Sequence, residues 1–275
     1  MPDKSLQNAP GKPSILRRWW FELLLAGLGA CLLLFVLAPL GGMIFATSIG
    51  ELSDAAAEHA VIQSIKITLL AAMFATVASA VFGIPLAYLL ARKRFFGRSL
   101  VLAIVDLPII IPHSAAGIAL LMVVGRNSLI GRITGGGLVS TTAGISVAMA
   151  FVSLPFLVNA AREAFAAVPL RLERVARTLG ASPQRVFFTV SLPLAWRGIL
   201  SGMILMWGRG ISEFGAVLII AYHPMTTPVM VYQRFNDYGL RSARAVAVLL
   251  IVICVAVFIA LRLVSRLGAS EGRDA

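Results

Sequence analysis

Residues Pro169–Pro193, PLRLERVARTLGASPQRVFFTVSLP, form the long polar interruption in a chain otherwise made of apolar runs. Leu172, Val175, Ala176 and Leu179 recur at the i, i+3, i+4, i+7 spacing of one helical face, with Arg171, Glu173, Arg174, Arg177 and Thr178 around the rest. Pro169 stands where a first helical turn tolerates proline, and Gly180 where a helix stops. Ser182 then reads as an N-cap with Pro183 at the first helical position, so a second helix begins at once. The spacing predicts helix, glycine turn, helix. Its apolar stripe is either offered to a partner outside the chain or belongs to a basic loop that only helps set topology.

The flanks of this stretch decide the class. At 59% hydrophobic and 13% charged residues, with mean hydropathy +0.91, the 275-residue chain is too apolar for a soluble domain. A span needs roughly 20 apolar residues to cross a ~30 Å hydrocarbon core. On that measure six helices are predicted: Phe21–Ser48, Val61–Leu90, Leu100–Gly125, Ala143–Ala161, Ala195–Tyr222 and Ala243–Leu263. The second and fifth are long enough to tilt. Trp19 and Trp20 mark an interfacial belt before the first. That first run is too long, and lacks the small-residue cleavage site, for a removable signal peptide. Cys31 and Cys254 both lie in apolar runs and suggest neither a disulfide framework nor a metal site.

The net charge of +12 is distributed as membrane topology demands, not as a nucleic-acid surface. Lys4, Lys12, Arg17 and Arg18 precede the first span, and Arg92, Lys93, Arg94 and Arg98 separate the second from the third. Arg162, Arg171, Arg174, Arg177, Arg185 and Arg197 surround the polar stretch, and Arg262, Arg266 and Arg273 end the chain. The opposite side holds only Arg126, Arg132, Arg234, Arg241 and Arg244. Both termini and the 169–193 loop are therefore expected in the cytoplasm. The chain divides into an N-terminal tail, 1–18, a transmembrane domain, 19–267, and a C-terminal tail, 268–275. On the outer side, Gly50–Ala60 reads as an acidic loop, Arg126–Thr142 as an irregular glycine-rich loop, and Tyr222–Leu240 as a long segment that Pro224 and Pro228 keep from forming a simple helix.

Ionisable residues inside spans are costly and face the bundle or a water-filled path. Arg209 falls near the middle of the fifth span, with Glu213 one turn farther out at i+4. The two either neutralise each other and lock the bundle, or lend positive potential to an anion path. Lys66, about one turn from the outer end of its helix, can snorkel to the interface, and Asp106 sits near the inner end of the third span. In that span, DLPIIIPHSAAG, residues 106–117, carries Pro108 and Pro112, which each remove a backbone hydrogen bond and should kink or open the helix. Ser114 and Gly117 add small residues suited to a mobile pore wall or to close packing. His113 has no other histidine at ligand spacing and reads as a satisfied interior or interfacial histidine rather than a metal ligand. No GxxxxGK[ST] loop, paired carboxylates or nucleophile constellation occurs.

Glu173, Ala176, Gly180, Val190, Leu192 and Pro193 resemble the EAA loop of the membrane subunits of ABC importers. The family pattern is Glu-Ala-Ala, then glycine, then aliphatic-x-Leu-Pro. Here Arg174 and Val175 follow Glu173, which stands one residue farther from Gly180 than in many members. DLPIIIPHSAAGIALL, RTLGASPQRVFFTVSLPL and SEFGAVLIIAYHPMTTPVMVYQRF together are similar to permease subunits for molybdate and tungstate, most of all the tungstate-type branch. Sulfate permeases tend to carry tyrosine and serine around the glycine that Phe214 and Ala216 flank here.

The resemblance implies an all-α, six-span, type I ABC importer permease fold in the cytoplasmic membrane. It implies a homodimer with two ATP-binding subunits and an extracytoplasmic oxyanion-binding protein, with ATP and Mg held by the partner subunits and no cofactor in this chain. Glu173, Arg174, Ala176, Arg177, Leu179 and Gly180 would couple to the ATPase. Pro112, His113, Ser114, Gly117, Arg209, Ser212, Glu213, Phe214 and Gly215 would line the pore or gate. Rival readings are a sulfate or other small-oxyanion permease, a channel or secondary transporter without an ATPase, and a purely structural membrane subunit.

Overall fold

The computed structural model describes residues 15–133 and 135–267, with side chains from Trp19 to Ala260. The expected tails, 1–18 and 268–275, fall outside the described residues, except that the first helix already begins at Ile15. All regular structure among the described residues is helical. Residues 1–48 and 49–275 are two units. The first holds α1, Ile15–Phe45, whose stretch Trp19–Phe45 is long and apolar enough to cross a membrane.

The second unit is organised on α7, Thr142–Ala167. The long helix α3, His59–Arg92, packs along one side of it, and a 29-residue helix, Pro183–Ile211, along another. The latter consists of a first turn α9, Pro183–Val186, a π-helical turn at Phe187–Ser191, and α10, Leu192–Ile211. The contact faces are built from small residues, as lipid-embedded interfaces require. On α3 the buried row Ser64, Thr68, Ala71, Ala72, Ala75, Thr76, Ser79, Ala80, Gly83 and Ala87 follows the helical repeat. A Cβ on Gly198 would lie 2.4 Å from the Ala164 Cβ, and one on Gly202 2.8 Å from the Ala160 Cβ. Backbones at these points have no room for a side chain.

The expected third span is not one helix. It is α4, Arg98–Ile110, and α5, His113–Val124, bent by 114° at the break. Pro108 lies inside α4, while Pro112 caps the start of α5 with extended ψ. Among the described residues five helices are long and apolar enough to cross a membrane, six if this bent pair is one span.

Other expectations also need correction. The fifth span is not an unbroken Ala195–Tyr222; it begins at Pro183, stops at Ile211, and resumes after Ser212–Phe214 as α11, Gly215–Ile220. Arg209 therefore stands near the end of α10 rather than at mid-span. The acidic stretch after α1 is a helix, α2, Ile49–Ala57, and the glycine-rich segment contains a short helix, α6, Leu129–Ile133. Tyr222–Leu240 holds α12, Thr227–Tyr238, in which Pro228 occupies the first turn, where its missing N–H is no loss. The Thr227 amide, an orphan of that helix start, donates to Thr68 Oγ1 at 2.8 Å, and the Thr227 hydroxyl stands 3.2 Å from both Ser64 and Thr68 hydroxyls. The last helix, α13, Leu240–Leu267, packs against α12 and α2. Glu51 of α2 pairs with Arg241 and, at 3.3 Å, with Arg244, while Glu58 pairs with Arg234 of α12.

The tight α7–α10 contact is testable by overpacking. Gly198→Val should destabilise the protein by about 1–3 kcal/mol, read as a lower unfolding temperature in mild detergent. Ala164→Gly in the same chain should recover part of the loss. Gly208→Ala, where a Cβ meets nothing within 4 Å, should leave the transition in place.

Candidate functional site

Two groups of residues combine unusual chemistry with unusual backbone. The first is the helix–turn–helix at 169–193. Its leading helix, α8, Leu170–Thr178, ends through Gly180 at φ +85°, a left-handed conformation that favours glycine. The Gly180 amide donates to the Arg177 carbonyl and the Ala181 amide to the Ala176 carbonyl, each at 3.0 Å. That pairing is a Schellman stop, which satisfies two of the orphan carbonyls at the helix end. Ser182 Oγ then accepts from the Arg185 amide at 3.3 Å and caps the next helix, with Pro183 at its start.

The apolar stripe of α8 is on the outside. Leu172, Val175 and Leu179 are 44%, 48% and 83% exposed, Ala176 is half-buried, and Arg174, Arg177 and Gly180 are exposed. Three large aliphatic side chains kept in contact with solvent, two on a nine-residue helix and one at its C-cap, fit a docking face better than a loop that only sets topology.

Glu173 points the other way. It is 3% exposed, and its Oε1 accepts from Arg92 Nε and from the Ser191 hydroxyl, both at 2.8 Å. Arg92, the last residue of α3, also donates through Nη2 to the Val168 carbonyl at the end of α7, 2.9 Å away. Nothing local in the sequence marks Arg92 for this part, because it pairs across 81 positions.

The second group lies where the two interrupted helices meet. Glu213, in the break after α10, is fully buried. Its Oε1 accepts from the Ala216 amide at 2.9 Å, taking up a donor that the start of α11 leaves free. Its Oε2 lies 3.1 Å from Arg209 Nη2, as an i, i+4 ion pair, and 2.8 Å from His113 Nδ1, neither in aligned hydrogen-bond geometry. Arg209 Nη2 also stands 2.9 Å from His113 Nε2, and its Nη1 donates to the Ser212 hydroxyl at 3.3 Å. The i, i+4 pair read from the sequence is thus present, with His113 from the other broken helix as a third member.

Glycine permits the crossing. A Cβ on Gly117 would approach the Ala216 Cα to 2.9 Å, and one on Gly215 the His113 Cβ to 2.8 Å. Pro112, Ser114 and Ser212 are exposed beside this crossing, and the Phe214 ring rests on Tyr232 of α12 with centroids 5.0 Å apart. Asp106 accepts from Asn159 Nδ2 of α7 at 2.6 Å, a tie the sequence reading missed. Lys66 is exposed on the eighth residue of α3, farther along the helix than expected. Among the described residues no group of three His, Cys, Asp or Glu side chains is placed to hold a metal.

A bundle of apolar helices with an exposed amphipathic turn and two interrupted helices held together by a buried carboxylate fits a membrane transport permease. Comparison with known proteins agrees. A family model for binding-protein-dependent transport system inner membrane components matches residues 83–267. The chain is 46% identical over 249 residues to the molybdate/tungstate transport system permease protein WtpB of Pyrococcus furiosus, covering 90% of this chain and 96% of that protein. The protein of the same name from Thermococcus kodakarensis is 43% identical over 257 residues, 92% of this chain and 100% of that one. The sulfate transport system permease protein CysT of Salmonella typhimurium is 33% identical over 224 residues, 78% and 81% of the two chains.

Among solved structures, a bacterial ABC transporter involved in the import of the acidic polysaccharide alginate has a TM-score of 0.70 at 17% identity, covering 92% of this chain and 96% of that one. The inward-facing MetNI methionine ABC transporter has a TM-score of 0.61 at 19% identity, covering 75% and 94%. The chain belongs to the family of binding-protein-dependent transport system inner membrane components. It is an integral membrane permease with the type I ABC importer fold, and its named relatives are permease subunits rather than enzymes.

The buried carboxylate carries a stability prediction. Glu213→Gln should cost about 3 kcal/mol, near the lower end for breaking a buried ion pair because Arg209 and His113 keep some solvent contact. His113→Ala should cost less, since Arg209 remains paired. The two should fall short of additivity by 0.5 kcal/mol or more in a double-mutant cycle of detergent unfolding, on the order of coupling between touching residues.

Proposed function

We propose that the chain is the permease subunit of an ATP-driven importer of molybdate and tungstate. The likeness to molybdate/tungstate permeases along nearly the whole chain carries this reading. Two copies form the pathway, two separate ATP-binding subunits hold ATP and Mg, and an extracytoplasmic binding protein delivers the oxyanion. The basic residues cluster on the side of both termini and of the 169–193 loop, which supports a cytoplasmic position for all three.

In this reading Leu172, Val175 and Leu179 enter a groove on the ATPase, each worth roughly 1.5–3 kcal/mol if fully buried. Arg174 and Arg177 flank that stripe and add electrostatic attraction. ATP-driven closure of the two ATPases pushes on α8, and the push reorganises the helix breaks around His113, Arg209 and Glu213. Ser114 and Ser212 supply exposed hydroxyls there, suited to a doubly charged tetrahedral oxyanion in transit. Discrimination resides in the binding protein, whose closed cleft selects before the permease is engaged.

Three outcomes follow. In vesicles holding the complete transporter, ATP hydrolysis should rise with the binding protein loaded with molybdate or tungstate; equal stimulation by the sulfate-loaded protein would contradict the substrate assignment. Gly180→Val should leave the permease inserted yet separate ATP hydrolysis from tungstate uptake, because a β-branched residue is strained at φ +85°. Reversing charge at Arg174 and Arg177 should weaken ATPase binding several-fold at low salt and much less at high salt.

A further inference from the structure

We infer that Glu173, Arg92 and Ser191 form a buried transmission node: Glu173 acts inside the permease as the grip through which α8 moves the membrane helices, and not as a contact on the ATPase. The inference rests on the importer reading and adds to it the residues that carry the movement inward. Glu173 and Arg92 have side chains only 4% and 6% exposed, so no partner residue reaches the carboxylate without dismantling the pair. Ser191 is fully buried and donates to the same Oε1 that Arg92 occupies.

Four elements converge on this ion pair. Arg92 brings the end of α3 and, through Val168, the end of α7. Glu173 brings α8, and Ser191 brings the π-helical turn that leads into α10. A buried ion pair is a poor device for stability alone, since apolar side chains of like volume hold as well. What it enforces is geometry: the carboxylate must stay within hydrogen-bond reach of both donors, so a displacement of α8 has to carry α3 and α10 with it. The turn carrying Ser191 has the one-residue excess of a π-helix, a local irregularity often found at functional sites. Arg92, Glu173 and Ser191 are therefore positioning residues for coupling, and none of them touches substrate.

The test uses the complete transporter in vesicles, with two copies of this chain, its two ATP-binding subunits, the binding protein, and tungstate as substrate. Tungstate moved per ATP hydrolysed is the readout, because a loss of folded complex lowers both quantities and leaves their ratio in place. Arg92→Gln and Glu173→Gln should each retain the ATPase at wild-type stoichiometry while the ratio falls at least tenfold. Ser191→Ala, the mildest change, should lower it about threefold. The double variant Arg92→Gln/Glu173→Gln, which leaves no unpaired buried charge, should return to within about threefold of wild type. An unchanged ratio in Arg92→Gln and Ser191→Ala overturns the inference, as does release of the ATPase by Glu173→Gln but not by Arg92→Gln. A wild-type chain that captures no ATPase overturns the importer reading and this inference together.

Discussion

In a bilayer an apolar side chain gains little by leaving lipid for protein, so helices are held by close backbone approach and by polar groups that find partners. Among the described residues the packing of α3 and α10 depends on that constraint at α7. Alanine, serine and glycine on α3 and α10 bring both helices against it, to distances at which Gly198 and Gly202 tolerate no side chain at all. The consequence is mechanical. Interiors packed this closely have low compressibility and transmit strain, which suits α10 to act as a lever.

The polar ties stand at the two ends of that lever. At one end Ser191 meets the Glu173–Arg92 pair; at the other Arg209 meets Glu213 and His113. The helix that links them, α10, has 20 residues and is about 30 Å long. The first tie fixes α8 to the helical frame, and the second holds the broken α4–α5 and α10–α11 segments across each other. Both bury a carboxylate that would be expensive alone, so both are arrangements that either stay complete or change as a whole. In the importer reading proposed above, that is the behaviour a two-state gate requires.

Much of the helix–turn–helix was legible because its signals are local. Gly180, Ser182 and Pro183 each act on the backbone within a few residues, and the i, i+4 relation of Arg209 to Glu213 survives the helix end between them. The break at Ser212–Phe214 was not legible: its flanking Gly210 and Gly215 read equally well as small packing residues, and it is stabilised by a side chain taking the Ala216 amide. Pro228 misled for the opposite reason, since a proline in the first turn of a helix looks in the sequence like a breaker. Arg92 and Glu173, or His113 and Glu213, meet only because the chain returns on itself, and no spacing rule reaches across such separations.

The central claim is that nucleotide-driven movement of α8 reaches the helix breaks through the Glu173 node. The most direct measurement places single cysteines at Ser114 and at Ser212, with Cys31 and Cys254 replaced by alanine, in the assembled transporter. Labelling by a membrane-impermeant thiol reagent is then compared between nucleotide-free and ATP-trapped states, with and without Arg92→Gln. The account predicts that labelling changes between the two states in the otherwise wild-type background and that Arg92→Gln abolishes the change. Equal labelling in both states, or a full response that persists in Arg92→Gln, would contradict it.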